Sequence, residues 1–182
     1  MKQRKRYMQL YKMLFIVFAG GGAIINAQIL PCGAAEYTPS QMQVLNEQLN
    51  QEITLGLSPL SSGVIIPVAF HIIHDNGIPH VSDDMIYEQL NVLNTNFSTT
   101  NFQFVLHTIT RNNRPEWVTI HDGNDSIMKQ TLAIASRYVL NFYLCPNPDG
   151  AGYSTFPWQY SEEDYRHGIV VATRTLPRHL LP

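Results

Sequence analysis

Apolar and polar positions along the chain change period several times, and each change marks an element. From 64 to 73 the residues are β-branched or otherwise hydrophobic on both parities apart from His71, the mark of a strand covered on both faces. Asp75, Asn76 and Gly77 follow, residues that tolerate a left-handed backbone, and Pro79 keeps the strand from resuming. Ser82 then stands where a helix N-cap would, with Asp83 and Asp84 in the first turn at the positive end of the helix dipole. Ile86, Leu90, Leu93 and Phe97 fall on one stripe at the 3.6-residue period, so this helix is expected to lie on the sheet that the strand begins.

The rest of the chain reads in the same way. Thr38, Pro39, Ser40 and Gln41 form a capping box with proline at the first helical position, and Met42, Leu45, Leu49 and Ile53 make an apolar stripe behind it. Gly56 ends that short helix, and 58–63 reads as a linker. Between 101 and 110, Phe102, Phe104 and Leu106 alternate with Gln103, Val105 and His107, which predicts a second strand with one buried face. A polar, turn-rich run covers 111–125. A helix is expected over 126–138, a third strand over 140–145, turn chemistry over 146–152, a short fourth strand over 153–156 closed by Pro157, and a fifth strand over 169–173. This order predicts an α/β (α+β) sandwich: a mixed, about five-stranded twisted sheet with two packed helices. Few residues follow the fifth strand, so one sheet face is expected to lie bare, with more exposed apolar area than a soluble monomer usually carries.

Length and composition fit one ordinary domain with extensions: 182 residues, 45% hydrophobic and 10% aromatic, are enough to bury a core. The first 27 residues read as a secretory signal, with a basic start, an apolar run from Met13 to Phe18 and a small-residue cleavage site ending at Ala27. Even taken from Met13 to Ala27 the stretch is short for a membrane span and holds three glycines, which favours cleavage over an uncleaved anchor. A lipoprotein reading is weaker, because Pro31 sits where a small residue should precede a lipidated Cys32. The domain plan is a signal peptide over 1–27, a pro-segment or N-terminal arm and linker over 28–62, and the main domain over 63–182. Past the leader, seven Lys and Arg face fourteen Asp and Glu, a net charge of −7, which argues against a nucleic-acid partner. Export to an oxidising space permits one bridge between Cys32 and Cys145, and free thiols are the other option.

Seven histidines invite a metal hypothesis, yet none is followed by Glu, so the H-E-x-x-H helix of a zinc protease is absent from these residues. His71 and His74 are three apart on a strand and point to opposite faces, so they are better read as one core histidine and one at the strand end. There is no G-x-S-x-G elbow, P-loop, dinucleotide fingerprint or C-x-x-C. Glu162, Glu163 and Asp164 are expected in a solvated loop rather than as a catalytic pair. Cys32, on an arm, is a candidate metal-coordinating thiolate.

Several runs carry a resemblance. Residues 66–77 (IPVAFHIIHDNG), Val81-Ser82-Asp83, 90–97 (LNVLNTNF), 140–144 (LNFYL), 152–157 (GYSTFP), 167–171 (HGIVV) and Thr175-Leu176-Pro177 are similar, in order and spacing, to the start of the catalytic domain in pappalysin-type (cytophagalysin) metalloproteases. The resemblance spans roughly 64–177. It implies a metzincin-like N-terminal subdomain of a secreted zinc endopeptidase, in which zinc-bound water attacks the peptide carbonyl beside a general-base Glu. It further implies that Gly152, Tyr153, Ser154, Thr155 and Phe156 form an edge strand that pairs with a substrate or protein in extended conformation. Pro31-Cys32-Gly33 is similar to the cysteine switch that keeps the family's zymogens silent, although the usual basic residue before the cysteine is missing and Ala34 follows the glycine.

The zinc helix of the family follows the strand matched by 169–173, whereas this sequence stops at Pro182. Zinc is therefore expected in intact relatives and not bound to this chain. The expectation is a secreted, extracellular pappalysin-like homologue, truncated before its active-site helix and inactive as it stands, with no nucleic-acid partner and no membrane partner after signal cleavage. The alternative is a secreted, non-catalytic binding module that uses an exposed sheet edge or face.

Overall fold

The computed structural model describes residues 38–54, 63–121, 124–156 and 159–177. The expected signal sequence, Cys32 and most of the linker lie outside them. In chain order the elements are α1 (Pro39–Thr54), β1 (Val64–His74), α2 (Asp83–Asn96), β2 (Phe102–Asn113), β3 (Thr119–Ile120), α3 (Ser126–Leu132), β4 (Leu140–Cys145), β5 (Asn147–Pro148), β6 (Gly152–Ser154) and β7 (Ile169–Ala172). Five strands form one sheet in the order β2-β1-β4-β7-β6, and β3 pairs with β5 in a separate ribbon. All neighbours in the main sheet are parallel except β6, which runs antiparallel to β7. The mixed five-stranded α/β sheet expected from the hydrophobic pattern is the one the chain adopts.

Parallel strands need crossovers, and α2 supplies the one between β1 and β2. Ser82 caps it, its hydroxyl accepting from the Met85 N–H at 3.4 Å. Ile86, Leu93 and Phe97 are buried from its inner stripe against Val68, Phe70 and Phe142, each burial being worth roughly 1.5–3 kcal/mol. Phe70 and Phe142 meet with ring centroids 5.3 Å apart, and Phe97 meets Phe104 edge-on at 5.1 Å. The capping box at the start of α1 also forms, with the Thr38 N–H donating to Gln41 Oε1 at 2.9 Å and the Gln41 N–H to Thr38 Oγ1 at 3.4 Å.

Three expectations are corrected. The sheet's second face is not bare: Trp117, Ile120 and Met128 pack on Ile73, Tyr143, Cys145 and Val170. The cover comes from α3, which carries Met128, and from the run over 111–125, which the polar pattern presents as loop but which holds a short 3₁₀ turn at Pro115–Trp117 and β3. The helix expected over 126–138 stops at Leu132. Its next turn is pre-empted by the Asn141 side chain, which accepts from the Ile134 N–H and donates to the Ile134 carbonyl, both at 3.0 Å, while Ala135 turns left-handed at φ 38°. The second strand runs on to Asn113, because a register shift between Val68 and Ala69 absorbs one residue of β2 and lets pairing with β1 continue.

Under that face His71 is buried and joins three strands. Its Nδ1 lies 2.9 Å from Thr110 Oγ1 on β2 and its Nε2 3.0 Å from Asn141 Oδ1 on β4, with the ring stacked on Tyr143 at 5.0 Å. An amide oxygen only accepts, so Nε2 carries the proton and Nδ1 accepts from the threonine hydroxyl. Burial pushes the imidazole pKa down, against a smaller upward pull from Asn141. His74, at the strand end, accepts the Gly77 N–H on Nδ1 at 3.1 Å. The two histidines take the separate structural roles expected of them.

Candidate functional site: the edge at β6

The sheet ends at β6 among the described residues, and the ladder there fixes which main-chain groups face inward. The Ala172 N–H donates to the Ala151 carbonyl at 3.0 Å, and Gly152 is opposite Val171, Tyr153 opposite Val170, Ser154 opposite Ile169. Hydrogen-bonded and non-bonded pairs alternate in an antiparallel ladder, so Tyr153 bonds Val170 while the N–H and C=O of Gly152 and Ser154 turn away from β7. Those outward groups are the hydrogen-bonding complement of an incoming extended chain.

Gly152 is required by this geometry. Its φ is +150°, and a Cβ there would fall on the Val170 carbonyl oxygen, far inside contact distance. Gly168 opens β7 under a similar constraint: at φ +119° a Cβ would come within 2.8 Å of the Asn141 carbonyl oxygen. Of the five residues expected to hold a peptide, only three are strand. Thr155 and Phe156 leave the ladder, because the Phe156 N–H donates to Gln159 Oε1 at 2.8 Å and the Gln159 N–H to the Phe156 carbonyl at 3.1 Å. The Thr155 hydroxyl turns to the domain, 3.4 Å from His167 Nδ1 and 3.5 Å from the Arg166 carbonyl.

The connection from β6 to β7 is tethered, although Glu163 within it stays exposed. Arg137 pairs with both Glu162 and Glu163, and Ser126 Oγ lies 3.1 Å from the Tyr165 hydroxyl. Asp164 grips Arg166 through both carboxylate oxygens, and that guanidinium holds the Asp164 carboxyl down at about 2 and is itself raised. Arg166 also lies 3.6 Å over the Tyr160 ring. The three acids expected in a free loop are thus held by two arginines. His167 is buried, its Nε2 2.8 Å from the Ser161 carbonyl, which closes the loop from inside.

One buried charge was not legible as part of this region. Lys129 on α3 is 2% exposed at the side chain, paired with Asp125 at 2.8 Å, and donates to the Arg166 carbonyl at 3.1 Å. Its ammonium also sits 5.5 Å over the Tyr153 ring. The Asp-x-x-x-Lys spacing signals an i,i+4 pair, ordinarily a surface feature, and nothing local marks it as buried.

Metal-binding chemistry finds no donor set here. Among the described residues no three of His, Cys, Asp and Glu group around one point. His121 and Asp149 form an exposed pair at 2.8 Å, two donors only, and both nitrogens of His71 are spent on Thr110 and Asn141. Cys145 is fully buried, a free thiol pushed up to about 12 by burial, with its Sγ 3.8 Å from Met128 Sδ. The proposed Cys32 ligand lies outside the described residues.

Against solved structures, mirolysin in complex with compound 9 superposes with a TM-score of 0.55 and 25% identity, covering 65% of this chain and 56% of that one. This is a metallopeptidase-like fold. Curated relatives agree: an extracellular metalloprotease of Arthroderma gypseum is 26% identical over 172 residues, covering 91% of this chain and 58% of its own. Another, of Colletotrichum graminicola, is 28% identical over 159 residues, covering 80% and 55%. The chain therefore spans a little over half the length of these relatives. No protein-family profile matches it. The relatives' names place them outside the cell, in agreement with the secretion expected of this chain, and among the described residues no helix is long and apolar enough to cross a membrane.

Proposed function

We propose that these residues form the peptide-holding part of a secreted, pappalysin-like zinc metallopeptidase, with β6 as the strand against which an extended peptide is laid. The observation that carries this reading is the antiparallel edge itself: a single reversed strand closing a parallel sheet, with the main-chain groups of Gly152 and Ser154 turned outward. The metallopeptidase-like fold and the extracellular metalloprotease relatives support it. Zinc belongs, in this reading, to intact relatives. The described residues do not provide its ligands, so the role assigned to them is binding and orientation, and the 182-residue chain, which contains no H-E-x-x-H, is expected not to cleave peptide bonds by itself. Cys32 would serve as a cysteine-switch ligand of a silent zymogen. The second reading, a non-catalytic binding module, loses the bare sheet face that motivated it but keeps the same edge.

The test uses a blocked hexapeptide of alternating leucine and threonine flanked by lysines, titrated into the full chain and followed by backbone amide shifts. Saturable shifts should concentrate at 152–154, and N-methylation of the alternate peptide amides that face β6 should weaken binding at least tenfold. Equal binding of the methylated peptide, or shifts only elsewhere, would remove the main-chain pairing on which the proposal stands. Casein cleavage by this chain in added zinc, abolished by a chelator, would contradict the division of labour.

A further inference from the structure

Lys129 has three ammonium protons and three neighbours placed to receive them. Asp125 Oδ2 lies at 2.8 Å, the Arg166 carbonyl oxygen at 3.1 Å, and the face of the Tyr153 ring at 5.5 Å from its centroid. These neighbours belong to different parts of the region. Asp125 precedes α3, Tyr153 is the central residue of β6, and Arg166 closes the connection that returns to β7. The Arg166 carbonyl is also the oxygen 3.5 Å from the Thr155 hydroxyl, so Lys129 bears on the edge strand from within the sheet face and from the loop that follows it. At 1% exposure Lys129 is among the largest fully buried side chains, and an apolar residue would fill that volume without desolvating a charge. What an apolar residue would lack is the directional grip on a carbonyl and a ring.

We propose that Lys129, held by Asp125, is a positioning residue for the peptide-accepting edge: it sets the height and tilt of β6 so that Gly152 and Ser154 present their main-chain groups in register with an incoming strand. The proposal rests on the reading of β6 given above and adds to it how that edge is held. β6 has three residues and a single partner strand, so the ladder alone holds it weakly. The ammonium ties it to a helix packed on the second face. Nothing in the arrangement requires Lys129 to touch the peptide.

The paired substitution Lys129→Met with Asp125→Leu removes both charges together, so neither is left buried alone. In the full chain, amide exchange at Tyr153 should accelerate at least tenfold while exchange along β4 stays within twofold of wild type, and affinity for the alternating leucine-threonine peptide should fall at least tenfold. Tyr153→Leu, which removes only the ring beneath the ammonium, should give a smaller change in the same direction, about threefold; it decides the matter if the paired variant does not fold. Unchanged exchange at residue 153 together with unchanged affinity would overturn the proposal. So would equal acceleration at β4 and β6, which marks a general staple rather than a positioning device. A wild-type chain that binds no peptide would sink the edge reading instead, while the exchange comparison would still decide whether Lys129 holds β6.

Discussion

Replacing Gly152 with alanine is expected to free β6 from the sheet and abolish peptide binding by this chain, with little loss elsewhere. The added methyl would collide with the main-chain oxygen of Val170, an atom fixed by its own strand, and the φ of +150° is one that L side chains rarely adopt. Overpacking and backbone strain together cost about 2–4 kcal/mol, more than three residues of ladder can absorb. The strand should therefore move away from β7 rather than tolerate the contact. In the peptide titration, affinity should drop beyond detection, while amide exchange in β1 and β4 stays near wild type. Ser154→Ala is the control: it keeps every main-chain group and should bind as wild type does. A Gly152→Ala chain that bound peptide normally would show that the β6–β7 register has no part in binding.

The second large effect concerns the core. His71→Leu should destabilise the domain by about 2–4 kcal/mol, because it removes the hydrogen bonds by which one ring joins β1 to β2 and β4. It should also remove a pH dependence. Burial lowers the His71 pKa in the folded state below its ordinary value of 6.5. An unfolded chain therefore takes up this proton before the folded one does. The stability that neutral His71 contributes is complete above the unfolded value, is lost progressively as the pH falls from about 6.5 toward the lowered folded value, and changes no further below that. Urea midpoints of wild type should fall across that window relative to those of His71→Leu, which should lack this component. Parallel pH profiles for the two chains would contradict the assignment of a buried, neutral imidazole.

Strand β1 and helix α2 were legible because their patterns leave little choice: both parities of 64–73 are apolar, and Ser82, Asp83 and Asp84 mark a start that the Ile86 to Phe97 stripe confirms. Elsewhere distant residues overrode local pattern. Asn141 ends α3 from a neighbouring strand, and a helical reading of 126–138 cannot register that. Trp117, Ile120 and Met128 cover the second sheet face, but in the sequence they fall in two short apolar clusters, 117–120 and 127–128, separated by a polar run with no period to join them. The place of the edge strand was legible and its length was not, because Thr155 and Phe156 spend their groups on His167, Arg166 and Gln159. Lys129 was hidden for a related reason: the signal for a lysine is solvent, and only the assembled β6–β7 corner reveals a carbonyl and a ring waiting for it.

Residue-resolved amide exchange at three consecutive positions tests the central claim most directly. In the unbound chain the Tyr153 N–H should be protected by Val170 while those of Gly152 and Ser154 exchange at rates close to those of exposed backbone. Saturating peptide should then slow Gly152 and Ser154 at least tenfold and leave Tyr153 as it was. The opposite parity, with Ser154 protected and Tyr153 open before peptide is added, or no slowing at either outward position afterwards, would contradict an edge built to accept a strand.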